Sequence, residues 1–321
     1  MLNSNLLKLD ERMTEETKNY VINSLKNGRP TDILAKDINE VRQERIKAAK
    51  KVNETISFDN LEVTQFEVDS EYDSFKIPIT SYKPHSNDNS NRIVLFFHGG
   101  GWSLGNRETF KLSVCKLAES TKSCWIYVEY RLAPEWKFPT QLNDCVSVLK
   151  WLTENKLKFS SNFNSKICVC GDSAGGHIGA LLTNEYYRMI DYQILIYPCI
   201  DFSTIYESEV EFTNDMYILV PEVRRFYGKN LLGDDRSLFN SSKLSPILNE
   251  NLSFIPNTLI IAAELDPIRD HAVAYYEKLL ENNVKCKLKI IKGVIHGFFR
   301  NPNIFQEAFS QLQESIVTFL S

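Results

Sequence analysis

The sequence predicts an α/β fold, a mostly parallel central sheet with helices on both faces. Two observations carry the prediction. From residue 93 onward, short apolar runs alternate with longer amphipathic stretches. The runs are Ile93–Phe97, Trp125–Tyr130, Ile167–Cys170, Gln193–Tyr197, Thr258–Ala263 and Cys286–Ile291. They are also apolar almost throughout, the pattern of strands buried on both faces rather than one. At 43% hydrophobic and 24% charged residues, the chain is ordinary globular material, which excludes disordered, collagenous and coiled-coil classes. Its 321 residues suit a single domain, expected over 1–321.

Taken in order, Leu6 to about Val52 has helical periodicity, broken at Asn27-Gly28-Arg29-Pro30. Leu61 to Tyr82 turns strand-like through Val63, Phe66, Val68, Phe75, Ile77 and Ile79. His85–Asn91 is a polar turn or loop. Helices are predicted over Thr109–Ser120, Leu142–Thr153, Ala174–Arg188, Ala272–Asn282 and Ile304–Leu320. Ile200 to Pro246 breaks the alternation, with no core strand and only scattered aromatics and charges. A stretch that long is read as a helical insertion lying over the sheet.

Charge and composition exclude several partners. The net charge of −4 leaves no basic surplus for nucleic acid, and Arg42–Lys51 reads as a solvated helix face. Asp10 and Glu11 stand where a signal peptide needs its apolar core. No apolar run approaches the ~20 residues of a membrane span, so no membrane anchor is expected. The seven cysteines are odd in number, lack a CxxC and include several in apolar runs. They read as buried reduced thiols, which makes a cytoplasmic location the expectation. The sequons at Asn53, Asn240 and Asn251 are then chance matches.

Glycine is scarce, with 13 residues, and clusters in two windows, 99–105 and 171–179. Such economy implies unusual backbone at those two places. In the second, KICVCGDSAGG carries G-x-S-x-G between a strand and a helix. A turn so tight needs its glycines, and it lifts the Ser173 hydroxyl off the sheet edge at the positive end of the following helix. Neither Walker A nor G-x-G-x-x-G is formed there. In the first window, FFHGGGWSLG follows a core strand. Three adjacent glycines leave backbone N–H groups open to a developing oxyanion, and the N–H of Ala174 would add another.

Five histidines make elimination possible. Where a serine stands on such an elbow, the acid and then the histidine follow it in the chain, which removes His85 and His98. His177 lies one turn along the helix after Ser173, and His271 opens a helix with little reach. His296 remains, after the last strand in the loop 292–297 with glycine on either side. Asp266 is the expected acid, just past the end of the Thr258–Glu264 strand. Asp270 is its rival but reads as a helix N-cap, and Glu264 is a second rival.

Together these residues resemble the hormone-sensitive-lipase-like branch of the α/β-hydrolases, which includes arylacetamide deacetylases and carboxylesterases. The resemblance runs from about Ile93 to the C-terminus. It rests on HGGGW (98–102), YRLAPE (130–135) with Phe138-Pro139, GDSAGG (171–176), Tyr197-Pro198, Ser245-Pro246, DPIRD (266–270) and HGF (296–298). It implies the α/β-hydrolase fold, Ser173 as nucleophile, Asp266 as orienter and His296 as base. It further implies an oxyanion hole from Gly100, Gly101 and Ala174, no metal and no organic cofactor. The helical cap it implies would comprise residues 1–55 and 202–243. His177 stands where members often carry Asn, and is similar to the elbow of kynurenine formamidases.

The expected activity is cleavage of carboxylic esters through an acyl-serine, on a small ester with an apolar acyl or alcohol group. Amide cleavage, as in a deacetylase or formamidase, is the alternative. A non-catalytic ligand receptor on the same fold is a third reading, disfavoured because all three triad positions are filled.

Overall fold

The computed structural model describes residues 8–85, 92–162 and 164–321. Apart from His85, the expected 85–91 loop lies outside the described residues. Eight strands form one sheet: β1 (Leu61–Asp69), β2 (Lys76–Pro84), β3 (Arg92–Phe97), β4 (Cys124–Val128), β5 (Lys166–Asp172), β6 (Tyr192–Ile196), β7 (Asn257–Leu265) and β8 (Cys286–Ile295). Their order is β1-β2-β4-β3-β5-β6-β7-β8. β2 pairs antiparallel with both β1 and β4, and every other pairing is parallel. This is the α/β-hydrolase architecture. From β3 the chain first steps to β4 on one side, then to β5 on the other. Open α/β sheets bind ligands at the strand ends beside such a switch.

The helices are α1 (Glu15–Asn27), α2 (Ile38–Asn53), α3 (Arg107–Thr121), α4 (Thr140–Asn155), α5 (Ala174–Tyr186), α6 (Glu207–Glu211), α7 (Pro221–Leu232), α8 (Arg269–Glu281) and α9 (Gln306–Leu320). The central strands β3 to β7 are apolar almost throughout because each face has its own cover, whereas the edge strands β1 and β8 mix buried with exposed residues. Val94, Phe96, Trp125, Tyr127, Cys168 and Cys170 pack with Phe110 and Val114 of α3 and Leu312 and Ile316 of α9. Their neighbours Ile93, Leu95, Phe97, Ile167 and Val169 pack on the other face with Leu149 of α4 and Ile178 of α5. The cysteines are free, and five of the seven are buried. Among the described residues no helix is long and apolar enough to cross a membrane.

Among the departures from expectation, three have a clear local cause. The first helix starts at Glu15, where the Thr14 hydroxyl accepts from the Thr17 amide and caps it. Asp270 is not an N-cap. Ile268 precedes α8, and Asp270 instead accepts from the Ser208 amide at 2.8 Å, tying α8 to α6. The last strand does not give way to a loop at Lys292. Pairing between β7 and β8 shifts register near Ala263 and resumes at Leu265–Ile295, so His296 follows directly on β8. Gly293 makes that irregularity possible. At φ +67° it donates to Glu264 at 2.8 Å and accepts from the Thr14 amide at 3.0 Å.

Candidate active site

Ser173 sits between β5 and α5 at φ 52° and ψ −115°. A non-glycine residue there is strained by about 1–3 kcal/mol. The surrounding chain enforces it. The Ser173 amide donates to Ile196 O at 2.9 Å, and its carbonyl accepts from His177 N at 3.0 Å. Gly175 lies so close to the Phe97 carbonyl at the end of β3 that any side chain would collide with it.

The Ser173 hydroxyl is 2.8 Å from His296 Nε2, and His296 Nδ1 is 2.7 Å from Asp266 Oδ2. Asp266 is fully buried, and its other oxygen accepts from the Ile268 amide at 2.9 Å. A carboxylate at Nδ1 holds the proton on that nitrogen, which leaves the Nε2 lone pair facing the serine. The Tyr197 ring packs against His296 with centroids 4.7 Å apart. These three residues leave the C-terminal ends of β5, β7 and β8.

The glycine loop follows β3. The Gly99 amide is occupied, donating to Asp172 Oδ1 at 2.6 Å. Among the described residues, the amides of Gly100, Gly101 and Ala174 have no hydrogen-bond partner within the protein. Gly101 has φ +60°, and its Cα hydrogen faces the Tyr227 ring so closely that a methyl group would overlap it.

The other candidates lie elsewhere. Glu264 binds Lys292 at 2.8 Å and the Gly293 amide. His85 is exposed at the end of β2. His98 is buried, stacked 4.2 Å from Tyr130, with Nδ1 2.8 Å from Gly99 O. His177 receives the Trp102 indole N–H on Nδ1 at 3.2 Å, so its Nε2–H donates to Leu244 O at 2.7 Å. Both nitrogens are thus spent on holding Trp102 of the glycine loop. His271 accepts the Ile200 and Asp201 amides and faces Glu209 at 3.0 Å. Burial pushes all three imidazoles down to about 4.

Several supporting residues carried no role in the sequence reading, although they lie inside quoted motifs. Burial pushes the Asp172 carboxyl up to about 7, against the pull of the Gly99 amide. Asp172 is the physical tie between GDSAGG and HGGGW. Tyr130 donates to His98 O at 2.5 Å. Arg131 binds the buried Asp144 through two nitrogens and stacks between Phe75 and Trp136. Glu135 takes a two-pronged contact from Arg42 of α2, at 2.7 and 2.9 Å. YRLAPE is therefore scaffolding whose partners are far away in sequence.

Above the serine lies a cleft of about 1900 Å³. Tyr20, Ile33 and Val41 line it from the N-terminal segment, and Phe202, Leu219 and Tyr227 from the insertion. Among the described residues no three His, Cys, Asp or Glu side chains converge so as to hold a metal ion.

A strained serine on a strand–helix elbow, beside a histidine and a buried carboxylate on a mixed sheet, defines a class of hydrolase scaffold. A family model described as the alpha/beta hydrolase fold matches residues 94–300. The chain belongs to the α/β-hydrolase family, in its hormone-sensitive-lipase-like branch. It is 31% identical to an arylesterase of Saccharolobus solfataricus over 233 residues, 72% of this chain and 75% of that one. It is 30% identical to the carboxylesterase NlhH of Mycobacterium tuberculosis over 277 residues, 84% and 85% of the two chains. The solved Pyrobaculum calidifontis esterase superposes with a TM-score of 0.81 at 28% identity, covering 95% of this chain and 98% of that one.

Proposed function

We propose that this protein hydrolyses small carboxylic esters, with Ser173 as nucleophile, His296 as base and Asp266 as orienter. The carrying observation is the unbroken chain from Ser173 Oγ through His296 to Asp266, at 2.8 and 2.7 Å. His296 Nε2 takes the hydroxyl proton as the oxygen attacks the carbonyl carbon. The amides of Gly100, Gly101 and Ala174 receive the oxyanion. His296 returns the proton to the leaving alcohol, and an acyl-serine remains. Water then repeats the sequence and releases the acid.

The fold is one domain over 1–321, and residues 1–55 and 202–243 form its cap. Support comes from the cleft, whose walls above Ser173 belong to both segments. Its apolar lining suits an ester with an apolar acyl or alcohol group. The free thiols favour a reducing compartment such as the cytoplasm.

Ser173→Ala tests the reading. Hydrolysis of p-nitrophenyl butyrate should fall by ~10⁴-fold or more, with the circular dichroism spectrum unchanged. Turnover within tenfold of the parent in that variant would overturn the assignment.

A further inference from the structure

Among the described residues three guanidinium groups line the cleft without an ion pair: Arg236, which lies over the Phe239 ring, and Arg45 and Arg300, which stand together. Arg45 comes from α2, and Arg300 from the 3-10 turn Phe298–Arg300 that follows His296. Both line the main cleft and also a smaller cavity of about 230 Å³ behind the glycine loop. Gly100 and Phe110 line the same two spaces. The arginines therefore stand where the cavities meet, beside one of the proposed oxyanion donors.

The surrounding acids are already engaged. Glu44 pairs with Lys36, Glu209 with Arg224 and Asp234 with Lys229. Asp32 accepts from the Arg29 amide, Asp201 from Ser203 and Tyr206, and Asp235 from the Ser237 amide. Among the described residues neither Arg45 nor Arg300 makes an ion pair. The polar company of Arg45 is Tyr227 and Tyr20, and both its burial and the charge of Arg300 press its pKa downward. Arg300 is felt by Asp172, but that carboxyl is committed to Gly99 and forms no ion pair with it. Two like charges converging on a half-buried wall are unfavourable unless a counter-ion arrives. Each is nonetheless held there, Arg45 one turn beyond the buried Val41 and Arg300 directly after the buried Phe298 and Phe299.

We propose that Arg45 and Arg300 form a carboxylate-binding subsite, so that the preferred substrate is an ester carrying a carboxylate on one of its two arms. The guanidinium fork matches a carboxylate in geometry as well as charge. Cleavage of such an ester yields either a dicarboxylic acid and an alcohol, or an acid and a hydroxy-carboxylate. The inference rests on Ser173 being the nucleophile.

Matched substrates test it. The acyl-arm pair is p-nitrophenyl hydrogen glutarate and its methyl ester; the alcohol-arm pair is 4-acetoxybenzoate and its methyl ester. Each kcat/KM is divided by that ester's own rate in hydroxide. One anionic ester should exceed its neutral partner by ~10–100-fold. Arg45→Gln and Arg300→Gln should each cut that ratio by ~10-fold, and 0.5 M NaCl should lower it in the parent. Neutral-ester turnover in each variant reports an intact site. Where a Gln variant turns over neither ester, the Met variant, neutral and of similar length, decides by the same ratio. No anionic preference, or a preference that survives both substitutions, overturns the subsite while leaving the esterase reading intact. A parent protein that cleaves neither neutral nor anionic ester overturns both.

Discussion

The strand ends and the proposed cap are built by different means. At the strand ends, Ser173, Asp266 and His296 are placed by backbone: an elbow, a strand terminus and a strand that continues past a bulge. Their hydrogen bonds run to neighbours that the same sheet supplies. The cap segments are held instead by side chains reaching across large sequence distances. Arg42 spans from α2 to Glu135, Arg12 pairs with Glu211, and the Tyr217 hydroxyl reaches Asp10 at 2.9 Å. Apolar residues remain exposed in the insertion, Ile205 at 78% and Val210 at 69%. The contrast is between a triad set by local backbone geometry and a cover fastened by long-range side-chain contacts.

That contrast also explains what could be read from sequence. Gly175, Gly101 and Ser173 need particular backbone, and backbone needs leave short, dense motifs. The central strands were legible because both faces of the sheet are covered there, and their apolar runs record that directly. The tie between Asp172 and Gly99 was not legible, because its partners are separated by a whole α-β-α excursion through α3, β4 and α4. Asp270 resembled an N-cap in sequence, yet its carboxylate serves α6, an element brought to it only by folding. Arg45 and Arg300 were invisible as a pair for the same reason. RQERIKAAKK looks like any solvated helix face until Arg300 is placed opposite Arg45.

If the strand ends carry the chemistry, the largest effect should come from the orienting carboxylate. Asp266→Asn keeps the shape but favours the wrong imidazole tautomer, and kcat should drop by ~10⁴-fold. KM should move little. Steady-state kinetics on p-nitrophenyl butyrate would measure both, and a change confined to KM would break the division of labour.

A second, smaller effect concerns stability in both regions. His98 and His177 lie behind the catalytic edge, and His271 lies at the root of the insertion; all three have folded pKa values of about 4 against 6.5 for the free side chain. The unfolded chain therefore binds more protons between those values, so stability rises with pH. Their contribution is complete above about 6.5 and is lost as pH falls through about 4. Asp172 works in the opposite sense. Its folded value of about 7 lies above the ordinary 3.8, so its contribution is present at low pH and is lost as pH rises through about 7. Three groups outweigh one, and the net loss on going from pH 6.5 to pH 5 should be on the order of 2–3 kcal/mol. Urea midpoints at the two values would show it, and Asp172→Asn should steepen the slope. A midpoint that rises on acidification in this window would contradict the burial of these imidazoles.

The smallest effect should come from loosening the cover alone. Arg42 binds Glu135, the Ser103 carbonyl at 2.9 Å and the Ala133 carbonyl at 2.8 Å, fastening α2 to the loop beyond the glycines. Arg42→Gln shortens the side chain and removes the fork, a loss of about 1–2 kcal/mol for charge-assisted bonds of this exposure. A cap that mainly shapes the cleft would then raise KM by ~3–10-fold and leave kcat within ~3-fold. The opposite pattern, a large fall in kcat at constant KM, would mean that Arg42 positions the glycine loop through Ser103. In that case α2 would be part of the chemical scaffold, and the boundary between the two regions would lie inside the N-terminal segment rather than at its junction with the sheet.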